Sequence, residues 1–116
     1  MSAPARALAG SLAQLEADSL LLVSLAPDVS GRPREAIVVL DDSGAPRAYL
    51  NQCRHLPIPL DAGSRRFLFA GELLCSTHGA RYRRSDGLCV IGPCRGASLL
   101  ALAIEVSAGL VFVLDE

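Results

Sequence analysis

The chain has no tryptophan and no lysine, and aromatic residues make up only 4% of its 116 residues. A core must therefore be filled by aliphatic side chains, which are plentiful because apolar residues reach 51%. That proportion excludes a disordered chain, and the length fits one domain over residues 1–116. The sequence has no secretory signal and no apolar run long enough to span a bilayer. We therefore expect a soluble, cytoplasmic protein with no membrane partner.

Charge is nearly balanced overall but unevenly distributed. The net charge of −1 argues against nucleic acid as a partner. Residues 53–95 hold seven arginines and three acids, a net of +4, whereas the remainder holds four arginines and nine acids, a net of −5. The positive segment is either a solvated polar rim or a docking surface for an acidic partner.

Short runs rich in Leu, Val, Ile and Phe predict β-strands, and Gly, Pro, Asp and Ser separate them. The predicted strands are SLLLVSL, EAIVVL, RAYLN, RFLFA, LLALAIEV and LVFVL. In the fifth, Leu102, Ile104 and Val106 alternate as on the buried face of a strand. Leucines at helical spacing indicate a short helix or turn over residues 9–16. The pattern predicts an all-β fold, a small antiparallel sandwich or barrel.

Both histidines of the chain lie in segments that do not fit this strand pattern, and each has a cysteine nearby. NQCRHLPIPLD contains Cys53 and His55, followed by two prolines that exclude a regular central strand. CSTHGARY contains Cys75 and His78, with a glycine directly after the histidine. Loops on a β scaffold commonly carry functional residues, so these four side chains are the candidate site.

Two cysteines and two histidines can hold more than one kind of metal centre. Structural zinc sites commonly take paired cysteines from one turn, whereas each loop here mixes a cysteine with a histidine. A [2Fe–2S] cluster needs two protein ligands on each iron, and two such loops can supply both thiolates to one iron and both imidazoles to the other. Zinc, or structural histidines and free thiols, remain the alternatives at this point.

The two boxes resemble the iron–sulfur motif of the Rieske family. The likeness continues through AYLNQCRHLPIPLD, CSTHGARYRRSDG and IGPCRGASL, and it covers nearly the whole chain from residue 12 onward. It implies a Rieske-like antiparallel β-sandwich or barrel with a two-loop cluster-binding subdomain at about residues 50–95. It also implies a [2Fe–2S] cluster whose ligands, for both cofactor and metal, are Cys53, His55, Cys75 and His78.

The resemblance assigns further roles. The two cysteines would bind the inner iron and the two histidines the outer iron near the surface. Gly92 and Pro93 match the proline-containing loop that shields the cluster, and Tyr82 stands where the family has a hydroxyl donor to a cluster sulfur. Ala80 stands where high-potential members place a serine donor, and the two extra cysteines that form a disulfide in those members are missing. Fewer donors to the cluster imply a low reduction potential.

The implied function is that of a low-potential Rieske ferredoxin, an electron-transfer protein and not an enzyme. Its expected partners are a flavin reductase and an oxygenase component. The alternative is a non-catalytic Rieske subunit of a multicomponent reductase, of the small-subunit type in nitrite reductase.

Two cysteines, Cys89 and Cys94, are left over. They are either small thiols packed beside the cluster or the partners of a local disulfide. A role as cluster ligands is disfavoured because the four other side chains complete both irons.

Overall fold

The computed structural model describes residues 5–52, 68–69, 71–75 and 79–115. Three of the predicted ligands, Cys53, His55 and His78, lie outside these residues, whereas Cys75 lies within them. The regular secondary structure of the described residues is strand apart from one short helix, which confirms the predicted all-β class. It divides into two compact units, Met1–Leu50 with Leu102–Glu116, and Asn51–Ala101. The second unit corresponds to the predicted subdomain at about residues 50–95.

Six strands of the first unit form one sheet in the order β1-β10-β9-β4-β3-β2. The pairs β1–β10, β9–β10, β2–β3 and β3–β4 are antiparallel. The edge strands β1 and β2 also contact each other, so the sheet curls nearly closed. The bounds are β1 (Ala5–Ser11), β2 (Leu20–Leu25), β3 (Arg34–Leu40), β4 (Pro46–Leu50), β9 (Ala101–Ser107) and β10 (Leu110–Asp115).

Aliphatic side chains fill the core of this unit, as the shortage of aromatics requires. Its buried members are Leu15, Leu25, Ala36, Val38, Ala48, Val111 and Val113. The alternate residues Ile37 and Val39 of β3 are also fully buried, so both faces of this strand are covered. A strand covered on both faces reads as a continuous apolar run, which explains the AIVV stretch.

The predicted helix exists, but it begins later than expected. Helix α1 spans Leu12–Asp18, and Ser11 caps it: the Ser11 Oγ accepts from the Gln14 N–H at 3.0 Å, and the Gln14 side chain accepts from the Ser11 N–H at 2.8 Å. Residues before the cap form strand β1, which the sequence analysis missed. The local pattern was ambiguous there, and antiparallel pairing with β10 decided in favour of a strand.

Two turns of the first unit repeat the same five-residue pattern, DVSGR at residues 28–32 and DDSGA at residues 41–45. In the second, the Asp41 carboxylate accepts hydrogen bonds from the Ser43 N–H, the Ser43 hydroxyl and the Ala45 N–H at 2.6–3.0 Å. Asp28 makes the equivalent contacts in the first turn. The Asp41 side chain thereby accepts hydrogen bonds from the backbone of the turn that joins β3 to β4.

One expectation about β9 is only partly met. Leu102 and Ile104 pack against the core of the first unit as predicted. Val106, the third member of the same alternation, is 46% exposed. It lies one residue before the strand ends, where the chain turns back toward β10.

Four very short strands of the second unit form a separate sheet in the order β5-β6-β7-β8. They are β5 (Leu68–Phe69), β6 (Glu72–Leu74), β7 (Arg81–Tyr82) and β8 (Cys89–Ile91), and each neighbouring pair is antiparallel. Of these, only β5 was predicted, because it lies within the longer apolar run RFLFA. Strands β6, β7 and β8 were not predicted, because runs of two or three residues show no readable alternation. No helix in the described part of the chain is long and apolar enough to cross a membrane.

Candidate metal centre

The cysteine of the second Cys–His box, Cys75, belongs to the hairpin that β6 and β7 form, whereas its histidine, His78, lies outside the described residues. Cys75 follows β6 directly and is fully buried. Its backbone N–H donates to the Ala80 carbonyl at 2.7 Å, and its own carbonyl accepts from the Gly79 N–H at 2.9 Å. Gly79 has φ +73, the left-handed conformation expected of a glycine that lets this loop turn. The hairpin thus fixes the Cys75 thiol in a place closed to water.

The proline-containing loop packs directly on this hairpin. A Cβ placed on Gly92 would lie 2.7 Å from the Ala80 Cα, and φ at Gly92 is +111. Both the close approach and the backbone conformation therefore require glycine at this position. Gly92 therefore touches Ala80, and its predicted role in covering the cluster stays a prediction.

Ala80, the predicted site of a missing hydroxyl donor, is fully buried against Gly92. Tyr82 is also fully buried, and its hydroxyl lies 3.0 Å from the Cys94 sulfur. The tyrosine therefore does reach a cysteine sulfur, but one outside the proposed ligand set. Its predicted bond to a ligand sulfur stays a prediction.

The two leftover cysteines are free thiols and lie side by side. Cys94 Sγ donates to Cys89 Sγ at 3.2 Å, and Cys89 Sγ donates to the Ile91 carbonyl at 3.2 Å. In the contact between the Tyr82 hydroxyl and Cys94 Sγ, either atom can be the donor. Both thiols are thus engaged with each other, as the interpretation of packed thiols expected.

Most arginines described in this unit are engaged in local contacts. Arg81 faces Glu72 at 3.7 Å, Arg83 forms an ion pair with Asp86, and Arg84 Nε donates to the Gly71 carbonyl at 2.7 Å; Arg81 and Arg84 make further contacts. The Arg83 guanidinium and the Leu88 N–H lower the pKa of Asp86. Arg95 differs from these three, since it is exposed and has no ion pair within the described residues.

The Rieske [2Fe–2S] domain matches the chain over residues 17–107. The chain belongs to the Rieske [2Fe–2S] domain family. Its cofactor is accordingly a [2Fe–2S] cluster, and the family membership fits an electron carrier rather than a catalyst. No group of three or more possible metal ligands occurs among the residues described, which include only Cys75 of the four predicted ligands.

Solved Rieske structures resemble the chain along most of its length. The ferredoxin of carbazole 1,9a-dioxygenase from Nocardioides aromaticivorans IC177 is 28% identical with a TM-score of 0.65, and the match covers 99% of this chain and 100% of that chain. The cyanobacterial plasma membrane Rieske protein PetC3 from Synechocystis PCC 6803 is 26% identical with a TM-score of 0.69, covering 91% of this chain and 96% of that one. No curated protein matches the chain.

A larger protein shares the fold over part of its length. The terminal oxygenase of carbazole 1,9a-dioxygenase from Novosphingobium sp. KA1 is 20% identical with a TM-score of 0.72. The match covers 98% of this chain but only 31% of the oxygenase chain. At this identity the likeness shows a shared Rieske fold and nothing about activity.

Proposed function

We propose that this chain is a one-electron carrier that holds its cluster through Cys53, His55, Cys75 and His78. The observation that carries the proposal is Cys75, a buried thiol fixed at the turn of a hairpin whose next loop residues include the second histidine of the chain. Thiolates and imidazoles are the ligand types that a Rieske [2Fe–2S] cluster takes. When bound, the cluster accepts and releases single electrons.

The described residues around Cys75 bury it and hold its backbone in place. Two backbone hydrogen bonds join Cys75 to Gly79 and Ala80, and the Gly92 backbone lies close against Ala80. The same burial disfavours the additional negative charge of the reduced state, which together with the alanine at position 80 supports a low potential.

We further propose an oxygenase component as the electron acceptor and a flavin reductase as the donor. The support is the full-length likeness to a ferredoxin of a dioxygenase system. The alternative, a subunit of a multicomponent reductase, is not favoured by the comparisons. Three free cysteines among the described residues fit a cytoplasmic location, where thiols stay reduced.

The test of the carrier is chemical analysis combined with a redox titration. The purified protein should contain about two irons and two sulfides per chain, and it should take up one electron with the paramagnetic signal of a reduced Rieske cluster. A colourless protein that holds one zinc would contradict the proposal.

Docking can be tested separately with a pair of exposed arginines. Arg95 is an exposed arginine two residues after Pro93 in the proline-containing loop, whereas Arg32 is an exposed arginine of the first unit. If the positive segment meets an acidic partner, Arg95→Glu should slow electron transfer to a carbazole dioxygenase terminal oxygenase several-fold, and rising salt should slow the wild type. Arg32→Glu is the matched control. Equal rates for the two variants would leave the positive segment as a solvated rim.

A further inference from the structure

Three side chains of the second unit form a continuous chain of hydrogen bonds, and two of them, Cys89 and Cys94, have no role in the proposed electron carrier. The Tyr82 hydroxyl lies 3.0 Å from Cys94 Sγ, which lies 3.2 Å from Cys89 Sγ, which in turn lies 3.2 Å from the Ile91 carbonyl oxygen. The ligand assignment uses neither of these two cysteines. A pair of thiols in contact is a chemical group in its own right, since it can lose two electrons and two protons to become a disulfide.

The backbone brings the two thiols together. The Cys89 N–H donates to the Ala97 carbonyl at 2.7 Å, and the Cys89 carbonyl accepts from the Gly96 N–H at 3.0 Å. The chain between them turns back at Gly92, and the Cys94 carbonyl accepts from the Ala97 N–H at 2.9 Å. This closed loop places Cys94 opposite Cys89 although no disulfide joins them.

The two sulfurs need to move only a short distance to form a disulfide. A disulfide has an S–S length of about 2.05 Å, so the two sulfurs must approach by about 1.2 Å from their separation of 3.2 Å. Rotation of the side chains about χ1 supplies a movement of that size. Because only four residues lie between the cysteines, the bond would restrict the unfolded chain little and would add little to the stability of the fold.

The two thiols differ in access. Cys89 is 1% exposed, whereas Cys94 is only partly buried. Of the two residues, Cys94 is therefore the one that a reagent in solution meets first. This asymmetry divides the roles: Cys94 is the thiol that meets an oxidant, and Cys89 is the thiol that completes the bond.

We propose that Cys89 and Cys94 form a reversible thiol–disulfide site that low-molecular-weight disulfides such as oxidised glutathione oxidise. The Cys94 thiolate attacks one sulfur of oxidised glutathione, forms a mixed disulfide and releases one glutathione thiolate. Cys89 attacks the Cys94 sulfur, which breaks the mixed disulfide and releases the second glutathione; the two departing glutathione sulfurs take up the two protons that Cys94 and Cys89 give up. Overall, two protein thiols are oxidised and one glutathione disulfide is reduced to two thiols.

The site lies beside the proposed metal centre in the same unit. Tyr82 pairs with Cys89 across β7 and β8, and Gly92 of the intervening loop touches Ala80. Oxidation removes the Cys94 S–H and Cys89 S–H donors from the hydrogen-bond chain while the Tyr82 hydroxyl stays. The proposal itself involves no ligand cysteine, so it stands or falls independently of the ligand assignment.

A tryptic digest of the cluster-loaded protein isolates the site. Trypsin cleaves after Arg84 and Arg95 and releases residues 85–95, which contain both cysteines and neither proposed ligand cysteine. After incubation with oxidised glutathione and acid alkylation, the peptide should carry no alkyl group and be lighter by two hydrogens than the reduced peptide. Dithiothreitol should restore double alkylation. Iron content and the visible spectrum, measured on the same sample, confirm that the cluster stayed in place.

Single variants test the order of attack. Cys89→Ser should trap glutathione on Cys94, because no second thiol remains to release it. Cys94→Ser should stay unmodified, because Cys89 is closed to the reagent. A wild-type peptide that remains doubly alkylated in oxidised glutathione would overturn the site, and equal modification of the two variants would overturn the assigned roles. The wild-type measurement stands even if a variant fails to fold.

Discussion

The two units of this chain build their interiors from different chemistry. The first has strands of five to seven residues around an aliphatic cluster, and the register of its antiparallel pairs is interrupted between Leu8 and Gly10 of β1. The second has strands of two or three residues, and among its described residues the fully buried large side chains are Leu73, Cys75, Tyr82 and Cys89. A framework can be built from interchangeable apolar residues, whereas a metal centre requires particular atoms at particular places. The second unit should therefore tolerate substitution far less well.

The largest expected effect is the loss of the cluster from a single thiol. Cys75→Ser should remove nearly all iron, because a hydroxyl does not replace a thiolate ligand, and variants of Cys53, His55 and His78 should behave alike. Cys89→Ser is the matched control in the same unit and should keep two irons per chain. Iron analysis and the visible spectrum provide the measurement. Retention of iron by Cys75→Ser, or its loss from Cys89→Ser, would show that the ligand assignment is wrong.

Substituting one glycine in each unit compares the two units directly. Gly92→Ala should destabilise the protein by about 2–4 kcal/mol, because a left-handed residue is strained and the added Cβ collides with Ala80. Gly44→Ala has a similar φ of +84 but nothing within 4 Å of the added atom, so only the strain of about 1–2 kcal/mol remains. Urea unfolding followed by circular dichroism measures both. Equal losses would mean that the Gly92 contact is not a steric requirement.

Restoring a hydroxyl beside the cluster should shift its reduction potential. We expect the wild-type potential near the low end of the Rieske range, roughly −150 mV, and Ala80→Ser should raise it. A hydrogen bond to a cluster sulfur favours the more negative reduced form by about 1 kcal/mol, which is about 40 mV for one electron. Ala97→Ser, a hydroxyl added elsewhere in the same unit, should leave the potential unchanged. Voltammetry measures the reduction potentials of the three proteins. A wild-type potential well above zero would contradict the low-potential assignment.

The smallest expected effect concerns acid stability of the framework. Hydrogen bonds from Ser43 and Ala45, with the Arg47 side chain at 2.9 Å, hold the pKa of Asp41 well below its usual range. The folded protein therefore binds this proton less readily than the unfolded chain. The stabilisation is complete above the unfolded pKa of about 4 and is lost as the pH falls through the folded value.

Asp41→Asn removes this titration while keeping an oxygen in the turn. The drop in melting temperature between pH 5 and pH 2 should therefore be smaller in the variant than in the wild type, by a few degrees. In the second unit, the Asp86 carboxyl also has a lowered pKa, but its ion pair with Arg83 is half exposed. Asp86→Asn should change the slope less, and salt should abolish the difference. Identical slopes for wild type and Asp41→Asn would remove the aspartate turn from the sources of acid stability.

Strand prediction succeeded where alternation or an apolar run extended over five residues or more, as in β2, β3, β4, β9 and β10. It failed at β6, β7 and β8 because two or three residues show no periodicity. It failed at β1 because Leu8 fits a helical spacing as well as a strand, and the pairing of Leu8 with Phe112 across the sheet decides between them. Such pairings depend on residues about a hundred positions apart, which no local pattern contains.

The sequence by itself determined the family, the cofactor and the candidate ligands, because two short motifs contain all four side chains and local spacing is visible in a string of letters. It also determined the aspartate turns, whose hydrogen bonds join residues two to four positions apart. Only the tertiary structure decided that Gly92 must be glycine, because a Cβ at this position would collide with Ala80, which belongs to another loop. Only the structure placed Tyr82, Cys89 and Cys94 in one hydrogen-bonded chain, because contact between side chains is set by how loops close in space.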